Sequence, residues 1–133
     1  MNQMSNTSGY GQLKRMLFGI IGIIVVIGAV GWGISNRQFV SRSETAQGKV
    51  VKLNAGGSHP EIKFTAKDGK EFEFAQGGLI FGHQIGDEVT VYYDPQNPRN
   101  GVINSFGALW GFPLLAFFMG FCFICVALFS KPD

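Results

Sequence analysis

The stretch MLFGIIGIIVVIGAVGWGI, residues 16–34, decides the fold of this chain. Its 19 residues carry no charge. As an α-helix they would be roughly 28 Å long, close to the thickness of a bilayer's hydrocarbon core. In lipid, a helix is the only open-chain structure that satisfies its own backbone polar groups, so the β-branched residues here do not argue for a strand. The sequence therefore predicts a first transmembrane helix over residues 16–34, preceded by a flexible tail over residues 1–15.

A cleaved signal peptide is the alternative interpretation of this stretch. Lys14 and Arg15 form a basic flank, as signal peptides have. The apolar core is longer than the usual ~7–15 residues, however, and no convincing A-x-A cleavage site follows it. An uncleaved signal anchor is the better interpretation.

A second uncharged stretch, residues 106–129, predicts another transmembrane helix, which Pro113 is expected to bend near its start. It holds seven of the 13 phenylalanines, as expected of a helix in lipid contact, and leaves residues 130–133 as a short tail. Small residues four apart predict faces for close helix packing: Ala29, Gly33, Gly107, Gly111, Ala116 and Gly120. One face of the second helix would receive the first helix and the other a second protomer. The alternative is that small residues are simply common in membrane helices.

The residues between these stretches, 35–105, alternate polar and apolar side chains as β-strands do. Ile62, Phe64, Phe72 and Phe74 are expected to share one sheet face, on two strands joined at Asp68-Gly69, which favours a type I′ turn. Further strands are predicted over residues 47–53 and 89–93, and a last short one over residues 102–103. The prolines of residues 94–98 are expected to take the chain out of the sheet. The predicted fold class is an α+β membrane protein with two transmembrane helices flanking a small antiparallel β meander or barrel-like domain.

The charged and reactive residues argue against catalysis and nucleic-acid binding. Net charge is +2, and the eight Lys and Arg of residues 37–99 are matched by eight Asp and Glu, which argues against the concentrated basic stripe of a nucleic-acid binder. Cys122 and Cys125 lie in an apolar stretch that disfavours a thiolate. His59 and His83 follow no metal-binding spacing. We therefore predict no catalytic, cofactor-binding or metal-binding residues, and no enzyme activity.

A run of motifs resembles a known family. Gly48-x-Val50, His59-Pro60, an Ile62-Lys63-Phe64 strand and Asp68-Gly69 precede the most specific part, Gly86-Asp87-x-Val89-x-Val91-Tyr92-Tyr93-Asp94-Pro95-x-Asn97-Pro98. This pattern between two spans is similar to the bacterial membrane proteins grouped as "domain of unknown function 3592". The resemblance covers about residues 20–128. It implies two-span architecture and a place in the bacterial cytoplasmic (inner) membrane, and it brings no substrate or catalytic residue.

The strand end at residues 92–99 is the candidate partner surface, with Tyr92, Tyr93, Asp94, Asn97 and Arg99 as its residues. An exposed aromatic beside charged groups is typical of protein contacts, although alternation allows only one of the two tyrosines to face outward. The alternative is a purely structural role, in which these residues form a strand followed by a stiff turn.

Topology and role follow less directly from the sequence. Lys14, Arg15 and Lys131 favour cytoplasmic termini and an outside β domain, against Arg37, Arg42 and Arg99 near the other ends of the spans. The main functional hypothesis is a non-enzymatic membrane protein whose β domain contacts another envelope or membrane protein. The alternative is an immunity-type protein that neutralises a membrane-acting toxin. A pore subunit is disfavoured because neither span carries an ionisable residue. Expected partners are the lipid bilayer and a possible second copy or membrane protein.

Overall fold

The computed structural model describes residues 4–78 and 80–131. Two long helices flank five strands, with a short 3-10 turn at Ala55–Gly57 after the first strand. In chain order the elements are α1 (Met4–Arg42), β1 (Glu44–Asn54), β2 (His59–Thr65), β3 (Glu71–Ala75), β4 (Glu88–Asp94), β5 (Asn97–Ile103) and α2 (Phe106–Phe129). The predicted α+β class, with a small antiparallel sheet between two apolar helices, is confirmed at this level. The chain divides into two units, one made of the segments up to Trp32 and from Pro113, the other of Gly33–Phe112.

The helix unit buries one stripe of each helix against the other. On α1 the stripe includes Gly22 and Ala29, and on α2 it includes Gly120. The opposite faces expose many large apolar side chains, among them Ile24, Ile27 and Phe118. Both helices are long and apolar enough to cross a membrane.

The predicted flexible tail over residues 1–15 needs correction, and the first helix is longer than the predicted span over residues 16–34. The helix already includes residues 4–15 and continues to Arg42, while residues 1–3 lie outside the described residues. No proline interrupts these segments. Extending an existing helix adds one hydrogen bond per residue without a new nucleus. The helix ends where Ser43 bonds back to it, its hydroxyl donating to the Phe39 carbonyl at 2.6 Å.

The five strands form one antiparallel sheet in the order β3-β2-β1-β4-β5. The predicted shared face of β2 and β3 is confirmed, because Ile62 pairs with Phe74 and Phe64 with Phe72. Val50, Val91 and Ile103 from the other strands complete the core with Tyr93. The edge strands β3 and β5 approach each other, so the sheet is nearly a barrel. At this seam Gly101 leaves room for the Phe74 ring, which would lie 2.7 Å from a Cβ at residue 101.

Two turns differ from their predictions. Gly69 has φ +83°, but Asp68 has no positive φ, so the turn is not type I′. Hydrogen bonds from Gly69 N–H to Ala66 and from Ala66 N–H to Lys70 instead close a three-residue loop that ends on the left-handed glycine. Asp94–Pro98 does not end the sheet either, since Asp94 pairs with Asn97 and β5 starts there. Pro98 is tolerated because the register shifts at this point on an edge strand.

Candidate partner-binding surface

Tyr93 belongs to the core, not to the predicted partner surface. Its side chain is 2% exposed, and its ring lies 5.1 Å from that of Phe64, centroid to centroid. The hydroxyl donates to a carboxylate oxygen of Glu44 at 2.8 Å and accepts the Lys67 backbone N–H at 3.1 Å. Tyr93 therefore ties the first residue of β1 to the β2–β3 turn, and it offers no contact area to a partner.

The pKa values of Tyr93 and Glu44 shift in the directions that these contacts require. Burial raises the pKa of the Tyr93 hydroxyl, because a phenolate would lose hydration. The hydrogen bond from Tyr93 holds the pKa of the Glu44 carboxyl below its usual value, and Lys67 acts in the same direction. The Lys67 ammonium lies 3.1 Å from Glu44, but that pair is largely solvated and adds little stability.

The other predicted surface residues lie at the β4–β5 hairpin. Tyr92 is half-buried, Asn97 and Arg99 are exposed, and an Asp94 carboxylate oxygen accepts the Gln96 N–H at 2.9 Å. This bond shows that Asp94 stabilises its own turn, as the purely structural interpretation of this segment expects. The hairpin end lies beside the start of β1, since Glu44 pairs with Tyr93.

Sequence reasoning missed two exposed apolar side chains in the β3–β4 loop, residues 76–87. Phe81 is 75% exposed and Ile85 is 67% exposed, whereas Ile80, which directly precedes Phe81, is buried in the core. Leu79 lies outside the described residues. The available signal was an apolar cluster set between glycines, outside any strand alternation. Large apolar side chains presented on a polar domain are typical of protein-contact sites.

Hydrogen bonds hold this loop in place. Gly86 N–H donates to the Val50 carbonyl at 2.8 Å, and Val50 N–H donates to Asp87 at 2.9 Å, which extends the β1–β4 ladder into the loop. An Asp87 carboxylate oxygen also accepts the Gln84 N–H at 2.8 Å. Ile85 is therefore displayed on a braced turn. Such preorganisation lowers the entropy lost on binding.

The braced turn and the β4–β5 hairpin lie at opposite ends of the sheet. Along β1, Glu44 follows the end of α1, and Val50 contacts the braced turn. Six residues of extended strand separate these positions by ~20 Å. Ile85 is thus far from the end of α1, while the predicted hairpin surface is close to it.

Gln76 closes the seam of the near-barrel. It is 6% exposed, and its side-chain oxygen accepts the Ile103 N–H of the edge strand β5 at 2.7 Å. Its side-chain nitrogen donates to the Gly77 carbonyl at 2.6 Å, and its backbone N–H donates to Pro60. One amide side chain therefore replaces a missing strand-to-strand bond at the root of the β3–β4 loop.

The predicted helix-packing residues fall in different surroundings. Gly120 is in the helix contact, where a Cβ would lie 2.9 Å from the carbonyl oxygen of Gly22, a residue that the sequence analysis missed. Ala29 is buried, and Gly111 and Ala116 are half-buried. Gly33 lies near the Trp110 ring, and the carbonyl of Gly107 lies near Gly78 in the β3–β4 loop.

The cysteines and histidines form no cluster. Cys122 and Cys125 are free thiols. His83 lies 3.8 Å from the Asp87 carboxylate, and His59 contacts the Gln76 carbonyl through its ring. Across residues 4–78 and 80–131, no three His, Cys, Asp or Glu side chains are placed to hold a metal ion.

The sequence of the β unit matches one known family. The model of the family described as "Domain of unknown function (DUF3592)" matches residues 35–108. The chain belongs to this family. The matched segment contains the whole sheet and the β3–β4 loop, so family membership is a property of the β unit. It leaves out the contact between Gly22 and Gly120.

A curated relative extends the likeness beyond the family segment. The chain is 38% identical over 112 residues to a Pseudomonas aeruginosa protein named "Immune protein Tsi4", covering 81% of this chain and 77% of the relative. No solved structure matches the chain.

Proposed function

We propose that this chain is a membrane-anchored immunity protein that binds a protein toxin and neutralises it. The observation that carries the proposal is the 38% identity to an immune protein over most of both chains. It favours the immunity hypothesis over the broader one, in which the β domain contacts some other envelope protein. Neutralisation by binding needs no catalytic group, so we propose a non-enzymatic mechanism.

The toxin-binding surface we propose is the braced loop with Phe81 and Ile85. Both side chains are large, apolar and exposed, and the bonds to Val50 fix the turn that carries Ile85. Apolar anchors of this kind supply most of the binding energy in protein interfaces.

We further propose that both helices span the bacterial cytoplasmic membrane, with the termini in the cytoplasm and the β unit outside. Support comes from the length and apolar surface of the helices, and from Lys14, Arg15 and Lys131 at one end of the helix pair. Such an anchor would hold the immunity protein where a membrane-acting toxin arrives.

A protection assay tests the function. Cells that produce the chain are challenged with the toxins encoded near its gene, each expressed from an inducible promoter. We expect survival against one of them, and Phe81→Ser with Ile85→Ser should lose it, since the anchors are removed. Val51→Ser, a smaller change at another exposed apolar residue of the sheet, should retain it. The immunity proposal fails if no toxin is neutralised. Equal protection by both variants contradicts the assigned surface.

Sidedness is tested separately. Lys52 is exposed on β1, so Lys52→Cys in a chain lacking Cys122 and Cys125 provides one thiol for labelling. Labelling of intact spheroplasts by a membrane-impermeant reagent is the expected result. Labelling only after lysis would reverse the proposed topology.

A further inference from the structure

In the helix unit, a basic cleft lies between residues 11–18 of α1 and the C-terminal end of α2. It has a volume of about 290 Å³ and is lined by three cationic side chains, Lys14 and Arg15 from α1 and Lys131 just after α2. The Arg15 Nε donates to the Ala127 carbonyl at 2.9 Å, a contact between residues that lie 112 positions apart in the chain. Arg15 thereby occupies the C-terminal end of α2, where the helix dipole favours a cation.

This bond also fixes the guanidinium for a second role. It engages Nε, and the two terminal nitrogens of the group remain outside it. Arginine held in this way is suited to donate paired hydrogen bonds to phosphate oxygens. Ser130 also lines the cleft, and a serine hydroxyl can donate a hydrogen bond to a phosphate oxygen.

The charges of the cleft are unbalanced. No acidic residue occurs among residues 4–43 or 104–131, and Asp133 lies outside the described residues. An anion is therefore the natural occupant. Phe18 and Val126 line the same cleft with apolar surface, which suits a ligand that is charged at one end and aliphatic at the other.

We propose that this cleft binds the phosphate of an anionic phospholipid headgroup, with an acyl chain lying along the apolar surface below it. The phosphate would contact Arg15, Lys14 and Lys131 at the membrane surface. Basic pockets between transmembrane helices on the cytoplasmic side are a known way for membrane proteins to hold anionic lipids. The lipid site rests on the proposed membrane insertion of the helices, but it is separate from the toxin-binding loop and can therefore fail independently of the immunity role.

The test is native mass spectrometry of the full chain, purified in a neutral detergent and titrated with phosphatidylglycerol. We expect a one-lipid adduct at low molar excess, and at least about fivefold less adduct with zwitterionic phosphatidylcholine. The double variant Lys14→Gln with Lys131→Gln should lose the adduct to a similar extent. The control Arg37→Gln with Arg42→Gln removes the same charge elsewhere on α1 and should bind as the parent does.

Three results would overturn the proposal. They are equal adduct formation by the parent and the Lys14/Lys131 variant, equal binding of both lipids, and displacement of phosphatidylglycerol by an about hundredfold excess of inorganic phosphate. The last would assign the cleft to a free anion, because inorganic phosphate lacks acyl chains. If the double variant does not fold, Lys131→Gln alone serves, since residue 131 lies beyond the end of α2 at Phe129.

Discussion

Replacing Gln76 by Ala should weaken the closure of the sheet more than its position in an irregular loop suggests. The substitution removes the acceptor of the Ile103 N–H at 2.7 Å and the donor to the Gly77 carbonyl at 2.6 Å. Ile103 is 2% exposed, so its N–H is left without a partner in a buried place. A buried polar group that loses its partner costs about 1–3 kcal/mol.

A cost of about 2 kcal/mol in the middle of this range corresponds to an about thirtyfold change in an equilibrium constant, since 1.4 kcal/mol is a factor of ten. Amide hydrogen exchange of the full chain in detergent measures it. Exchange in β4 and β5 should become about thirtyfold faster in Gln76→Ala, because these strands depend on the closed seam. Gln96→Ala, at an exposed glutamine, is the matched control and should leave the exchange unchanged.

A second variant separates the hydrogen bonds from packing. Gln76→Glu keeps the shape and the acceptor but buries a carboxylate, whose folded-state pKa should therefore be raised. The stability that Gln76→Glu loses relative to the parent should be smallest below the carboxyl's unfolded-state pKa, and it should grow as pH rises through the folded-state pKa. If the amide exchange rates of both variants stay within about twofold of the parent's at neutral pH, the assigned role of Gln76 is refuted.

Three further predictions concern the helix pair, the tyrosine network and the β2–β3 turn. In a chain without native cysteines, Gly19→Cys with Ala127→Cys should form a disulfide on mild oxidation, since their Cβ atoms would lie 3.5 Å apart. The control pair, Gly28→Cys with Ala127→Cys, should not form one. Equal cross-linking of the two pairs would contradict the helix contact. Tyr93→Phe should abolish part of the stability loss at high pH. Because the pKa of Tyr93 is raised in the folded protein, its contribution to the free energy of unfolding is complete below about pH 10 and is lost as pH rises through the folded-state pKa. Denaturant unfolding of both proteins at pH 8 and pH 11 measures the difference. Gly69→Val should lower the unfolding free energy by about 1 kcal/mol or more because φ there is +83°, and unchanged denaturant midpoints would exclude the left-handed turn.

Local composition and periodicity predicted much of the architecture. The two uncharged apolar stretches form helices, and Ile62, Phe64, Phe72 and Phe74 share one sheet face as alternation predicted. The bounds of α1 were wrong because helix extension costs little once a helix exists, even in polar sequence. Pro98 misled the prediction of β5, since a proline's missing donor is harmless at a register shift on an edge strand.

The missed features depend on distant parts of the chain. Gln76 acts on Ile103, 27 residues away, and no local pattern distinguishes it from a surface glutamine. The bonds from Val50 to Gly86 and Asp87 fix the turn that displays Ile85, and a linear sequence pattern does not encode them. Tyr93 was assigned to the partner surface together with Tyr92 because alternation separates the two faces without telling which is inside.

Stoichiometry is the most direct test of neutralisation by binding. The purified full chain is titrated against the toxin that the protection assay identifies, and residual toxin activity is measured at each ratio. We predict a linear loss of activity that ends at a fixed small molar ratio, accompanied by a stable complex, with the Phe81→Ser and Ile85→Ser variant shifted to at least tenfold higher concentration. Inactivation by a small fraction of one equivalent, or without complex formation, would contradict the account and indicate a catalytic or indirect mechanism.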